Sequence, residues 1–243
     1  MKANQIWRLV IPLILASAGL ILFMHNVQAS PLGNIIPVTT TIQAAIDLAQ
    51  PGDIIDIPAG TYRESLVIKK TLILHGQGSQ QTIIKPPSSQ RAISATLTLR
   101  LENLAVVGGA SPAGAGGGLL TDGNLQIIGC RFSGNTASYG GAIFQEEAGW
   151  IDVLDSEFIS NSVTSTGGAI YASGNITLTN TDLLTNTAGL HGGGLHGQAG
   201  RVVLLGGLVQ GNSASTNGGG VNLNNDVTVN GTHFVGNHAG QDG

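Results

Sequence analysis

The sequence predicts an all-β solenoid: a parallel β-helix of about seven rungs with one capping helix at its N-terminal end. Three observations carry this. An asparagine recurs at Asn135, Asn161, Asn186, Asn212 and Asn237, in steps of 25 or 26 residues, and a period in this range signals stacked repeats. Around each anchor the apolar positions hold fixed offsets. Three before it stand Phe132, Phe158, Leu183, Val209 and Phe234; eight before, Ile127, Val153, Leu178, Leu204 and Val229; ten before, Leu125, Ile151, Ile176, Val202 and Val227. After the first four anchors comes a glycine pair and an aliphatic, as in Gly140-Gly141-Ala142-Ile143 and Gly167-Gly168-Ala169-Ile170.

Offsets of ten and eight differ by two, the period of a strand, and the helical i, i+3, i+4, i+7 pattern is absent. Each repeat therefore reads as two or three short strands. Glycines and the anchoring asparagine are expected at the turns, where φ > 0 is cheap for Gly and tolerable for Asn. One repeat cannot bury its own apolar face. Stacking at about 4.8 Å lets each strand bond to its copies above and below, so equivalent residues form ladders. A buried asparagine both donates and accepts, at roughly 1 kcal/mol net per bond, so Asn135, Asn161, Asn186, Asn212 and Asn237 are read as a structural ladder.

In chain order, residues 1–29 read as a secretory signal. Lys2 and Arg8 supply the basic region, Leu9–Met24 the apolar one, and Val27-Gln28-Ala29 a small-residue cleavage site. The apolar run of 16 residues falls short of the roughly 20 needed to span a bilayer, so cleavage after Ala29 and no membrane span thereafter are expected; an uncleaved anchor is the alternative. Residues 30–40 read as an extended leader and 41–243 as the β-helix. Thr40 and Gln43 have capping-box spacing. Ile42, Ala45, Ile46 and Ala49 share one helical face, and Pro51-Gly52 ends the helix. Such a helix covers the apolar interior and open strand edge of the first rung.

Beyond it, Asp53–Ile57 reads as a strand and Pro58–Tyr62 as a turn. Leu72/Leu74 and Leu97/Leu99 are aligned on the ladders of Leu125/Ile127. That makes one step long, and the surplus is assigned to the loop Gly108–Gly118. Glycine is abundant, 37 of 243 residues, while charged residues are 10%, as a coil of short strands requires. The net charge of −4 offers no basic stripe for nucleic acid. Cys130, the one cysteine, lies in a column with Ser156, Thr181, Gly207 and Thr232 and reads as a small ladder residue.

The stretch TIQAAIDLAQPGDIIDIPAGTYRESLVIKKTLILHGQG (Thr41–Gly78) resembles the N-terminal signature of right-handed β-helix proteins of the pectin-lyase-like superfamily. FSGNTASYGGAIF and FISNSVTSTGGAIY resemble the GGA(I/L) and FxxN repeats of the polymorphic outer-membrane protein (Pmp) family. These resemblances imply a single-stranded right-handed parallel β-helix in a secreted, extracellular or cell-surface protein. They leave activity open, because that superfamily contains lyases, hydrolases, esterases and adhesins. Gly60-Thr61-Tyr62-Arg63-Glu64 is similar to a pectin methylesterase motif, but that family's Gln-Asp pair, DFIFG-like strand and GRPW-like segment are not found in this sequence.

Two candidate sites follow from stacking. Arg131, Glu157, Asp182, Leu208 and His233 lie four before the anchors, in one outward column. Glu157 and Asp182 would sit on the order of 5 Å apart, a spacing that suits a shared cation or a glycosidic bond. The preferred reading of the same column is a solvated face with Arg131 paired to Glu157. Leu120, Phe144, Tyr171, His196 and Asn222 follow the post-glycine aliphatic; Phe144, Tyr171 and His196 form a candidate platform for sugar rings, with structural stacking that supports the coil as the preferred reading. His191 and His196 flank a glycine triplet without an evident third metal ligand, and are read as turn and surface histidines.

The expected function is a non-catalytic, adhesin-like surface module binding a polysaccharide or cell-surface partner, without a cofactor. The alternative is a pectate-lyase-like enzyme or glycoside hydrolase using Glu157, Asp182 and Arg131, with Ca²⁺ in the lyase case; a passive spacer is the third reading. The repeat frame breaks off mid-rung at Gly243, so further rungs or a C-terminal domain are expected to follow.

Overall fold

The computed structural model describes residues 33–224 and 226–241. They form an all-β parallel solenoid of about seven turns with a single helix. Each full turn uses four strands, not two or three. In one turn these are Leu125–Ile128, Arg131–Ser133, Thr136–Tyr139 and Ile143–Gln145. Stacked turn on turn, they give four parallel sheets of nine, eight, six and seven strands. The third strand shrinks to two residues in later turns, as at Ser162–Val163, too short to show an alternation. The secretory signal expected at residues 1–29 and the end of the repeat frame expected at Gly243 lie outside the described residues. Among the described residues no helix is long and apolar enough to cross a membrane.

The ladders pair as the offsets require. Leu125 pairs with Ile151, Ile151 with Ile176, Ile176 with Val202 and Val202 with Val227. Inward residues of these columns are buried until the last described turn, where Val227, Val229 and Phe234 are exposed. Phe132 and Phe158 stack inside, with ring centroids 5.1 Å apart and planes 7° from parallel. Each such buried side chain is worth about 1.5–3 kcal/mol.

One register differs from expectation. Leu72 pairs with Leu99 and Leu74 with Leu101, and these pair in turn with Leu125 and Ile127. Leu97 stays exposed at the corner. The glycine-rich stretch after Gly108 is itself mostly strand, Ala110–Ala115. Its surplus shows as a register shift between Ser111 and Ala115 against Ala137 and Tyr139.

Corners explain the glycine pairs. Gly140 and Gly167 take φ of +52° and +74°, and a Cβ on Gly140 would lie 2.1 Å from the Ile143 carbonyl oxygen. The second glycine serves close approach instead: a Cβ on Gly168 would lie 2.0 Å from the Gly193 oxygen on the next turn. The anchoring asparagines do not take positive φ. The residue before each does, namely Gly134, Ser160, Thr185, Gly211 and Gly236.

The helix, Ile42–Leu48, buries Ile42, Ala45 and Ile46 against the first turn. Its N-cap is Thr41, whose hydroxyl accepts from Ala44 N–H, not Thr40. The reciprocal partner is Glu64, not Gln43: its two carboxylate oxygens accept from Ile42 N–H at 2.9 Å and Gln43 N–H at 3.0 Å. Lys70 Nζ donates to the carbonyls of Ile46, Asp47 and Ala49 at the other end. Gln43 uses its amide on the edge strand, accepting from Val67 N–H and donating to Val67 O. Gly60–Tyr62 is a strand paired with Thr82–Ile84, so the turn is confined to the residues before it. The leader contributes Ile35–Pro37 as the first strand of the nine-stranded sheet.

Candidate functional site

The asparagine column runs through the interior as a continuous hydrogen-bonded ladder. Asn135 Nδ2 donates to Asn161 Oδ1 at 2.9 Å, Asn161 to Asn186 at 3.0 Å, Asn186 to Asn212 at 2.9 Å and Asn212 to Asn237 at 2.9 Å. Each of these oxygens also accepts the backbone N–H of the asparagine one turn before it. With Asn135, Asn161, Asn186 and Asn212 fully buried, the column holds turns in register and faces no ligand.

Cys130 is buried, and its backbone N–H donates to Ser156 Oγ at 3.0 Å. Burial pushes its thiol up to about 12, which leaves it without nucleophilic thiolate at neutral pH.

The carboxylate column is assembled as the offsets require. Arg131 pairs with Glu157, and Glu157 with Asp182, on adjacent strands of the eight-stranded sheet. Both acids are engaged. Arg131 Nε lies 3.0 Å from Glu157 Oε2, an ion pair outside hydrogen-bonding alignment. Asp182 Oδ1 accepts from Leu208 N–H at 2.8 Å. Among the described residues no group of three or more His, Cys, Asp or Glu is placed to hold a metal ion.

The aromatic column is also assembled: Leu120, Phe144, Tyr171, His196 and Asn222 pair in sequence along the seven-stranded sheet. Phe144 and Tyr171 stack at 4.8 Å and 24°, and Tyr171 meets His196 at 5.2 Å and 33°. His196 is buried, not surface-exposed. Burial lowers its pKa foremost, against hydrogen bonds with the Asn222 and Gln198 side chains, and nearby His191 lowers it further. The neutral imidazole is therefore favoured. Burial likewise raises the Tyr171 phenol, whose hydroxyl donates to Gln198 Oε1. His191 lies 6.5 Å from His196 in a stacked arrangement, with its Nδ1 2.8 Å from Thr216 Oγ1. Two near-parallel rings do not converge on a common ion.

Sequence reasoning missed Tyr139. It lies just before a corner glycine and packs against Phe144 and Tyr171, at 6.3 and 6.1 Å. Its position immediately ahead of Gly140, matched by Thr166 and His191 ahead of Gly167 and Gly192, was the available signal.

The geometry defines a parallel β-solenoid with structural ladders inside and two side-chain columns outside. Residues 129–146 and 155–173 match the Chlamydia polymorphic membrane protein (Chlamydia_PMP) repeat. The solved structures it resembles include the pectin methylesterase of Aspergillus niger, at 14% identity over 86% of this chain and 88% of that one, with a TM-score of 0.46. The pectin methylesterase from carrot is similar at 12% identity over 89% and 88%, with a TM-score of 0.47. No curated protein matches.

Proposed function

We propose that this chain is an exported, non-catalytic module at the cell surface or outside the cell, binding a glycan or protein partner in the manner of an adhesin. The observation that carries this reading is the placement of the matched repeats. Residues 129–146 and 155–173 each supply parts of a turn, and the family they match is one of membrane proteins. A stack of such turns is a rigid rod that displays outward columns at a fixed spacing. The state of the acids fits a structural column. Glu157 is held by Arg131 and Asp182 by a backbone N–H, so neither stands free as a general base or half of a cation site.

The enzyme alternative rests on one observation, the adjacency of Glu157 and Asp182. The two readings separate in a direct assay. The chain is incubated with polyuronides and neutral polysaccharides, with and without Ca²⁺, and unsaturated or reducing ends are measured. No turnover is expected. Turnover abolished by Glu157→Ala would replace the module with a lyase or hydrolase. On intact producing cells, added protease should cleave the chain; complete protection would remove the surface assignment.

A further inference from the structure

Among the described residues His196 is the only buried histidine, 6% exposed. It is the middle residue of the strand Leu195–Gly197, inside the seven-stranded sheet. Tyr171 is its strand partner one turn before and Asn222 one turn after. Its Nδ1 is sealed from solvent and has no hydrogen-bond partner. The neutral ring tolerates that, because only one of its nitrogens needs to donate. The imidazolium does not, because both nitrogens then carry N–H groups and each needs an acceptor. A proton on His196 therefore leaves a charge away from water with one donor unmet, the costly case for a buried ion.

The groups packed around it do not compensate. The preceding strand supplies Tyr171, at 5.2 Å, and the corner supplies His191, at 6.5 Å between ring centroids. The following strand supplies Asn222, which does not titrate. The titratable neighbours are thus a phenol and a second histidine, and no carboxylate is among the charges acting on His196. Contact of the cation with the Tyr171 ring returns part of the cost, and a protonated His191 would add to it. His75, in an early turn, is the contrast. It is part-exposed and its Nδ1 lies 2.9 Å from Glu102 Oε2, so a proton there meets a carboxylate.

We propose that His196 is an acid-sensitive joint: when its ring takes a proton from solvent, the strand Leu195–Gly197 parts from its neighbours and the turns around it open, while the early turns hold. The sign follows from linkage. Burial lowers the pKa of the closed ring from the ordinary 6.5, so the open form binds the proton more readily. The stability that the neutral ring contributes is complete above that ordinary value and is lost as the pH falls below it. Each turn touches only adjacent turns, so the opening stays local. The inference goes beyond the surface-module reading and does not depend on it.

The test is hydrogen exchange on the full chain at about pH 7.5 and about pH 5.5, either side of the ordinary histidine pKa, corrected for the intrinsic effect of pH on exchange. Exchange in Leu195–Gly197 should quicken by up to about tenfold at the lower pH, the limit for one histidine that stays neutral when closed and titrates normally when open. Leu99–Glu102 should keep its protection. His196→Gln, which keeps a hydrogen-bonding amide and cannot titrate, should abolish the difference, and His191→Gln should leave it in place. In the parent chain the imidazole resonance of His196 should titrate below the ordinary histidine value, a readout that needs no variant to fold. Protection unchanged by acid overturns the proposal, as does equal loss in every turn. So does an acid response that survives in His196→Gln or vanishes in His191→Gln, or a His196 midpoint at or above the ordinary value.

Discussion

Four hydrogen bonds converge on the side chain of Asn161. Its Oδ1 accepts from Asn135 N–H at 3.0 Å and Asn135 Nδ2 at 2.9 Å, while its Nδ2 donates to Phe132 O at 3.1 Å and Asn186 Oδ1 at 3.0 Å. A leucine has similar volume and none of this capacity. Asn161→Leu would strand the Asn135 N–H inside the solenoid and weaken the bonding of its neighbours. Each buried group left unsatisfied costs about 1–3 kcal/mol, so a loss of about 3 kcal/mol is expected, read as a lower urea midpoint. An unchanged midpoint would show that the ladder is ornamental. The recurrence of this residue was plain in the sequence because five copies hold one spacing. The backbone it occupies was not. Positive φ falls one residue earlier, on Ser160 and Thr185 as well as on glycines, and a serine or threonine there gives no compositional sign of a left-handed turn.

At the scale of elements, the helix was readable from its apolar face, but not the way it is fastened. Both ends are held by the turn it covers: Glu64 takes the first N–H groups and Lys70 the last carbonyls. These are long-range partners, so a local capping rule pointed to Gln43 instead. Glu64→Ala should release the N-terminus at a cost of about 1–2 kcal/mol, the usual range for a lost cap. Hydrogen exchange should then quicken in Ile42–Leu48, while the strands around Ile151 keep their protection. Equal loss across the chain would mean that the helix nucleates the whole stack. Register shows the same division between local and distant information. Leu97, Leu99 and Leu101 alternate, and a slip of two residues keeps every leucine on the same face. Alternation therefore could not decide that Leu99 and Leu101 enter the ladder while Leu97 is left at the corner. The short third strand of each turn escaped notice for a related reason, since two residues such as Ser162–Val163 carry no period.

For the molecule as a whole, the site was partly legible because stacking converts sequence period into spatial columns. Arg131, Glu157 and Asp182 could be brought together by counting, and so could Phe144, Tyr171 and His196. Ring orientation could not be counted. It sets Tyr139 across Phe144 and Tyr171, at 58° and 80°, while Phe144 and Tyr171 stack at 24°. The same stacking governs how damage spreads. Each turn touches only the turns above and below it, so energetic coupling should be confined to neighbours. Phe132 and Phe158 are stacked on adjacent turns at 5.1 Å. Phe132 and Val209 occupy the same column three turns apart, linked through Phe158 and Leu183, or about 14 Å at one strand spacing per turn. A double-mutant cycle with Phe132→Leu and Phe158→Leu should show a coupling of about 0.5–1.5 kcal/mol, the worth of an aromatic pair beyond its area. Phe132→Leu with Val209→Ala should be additive within about 0.5 kcal/mol, as for sites beyond contact range. Chemical denaturation of the six proteins measures both cycles. Coupling of equal size in the two would mean that strain travels the length of the solenoid, and the picture of independent neighbouring turns would have to be abandoned.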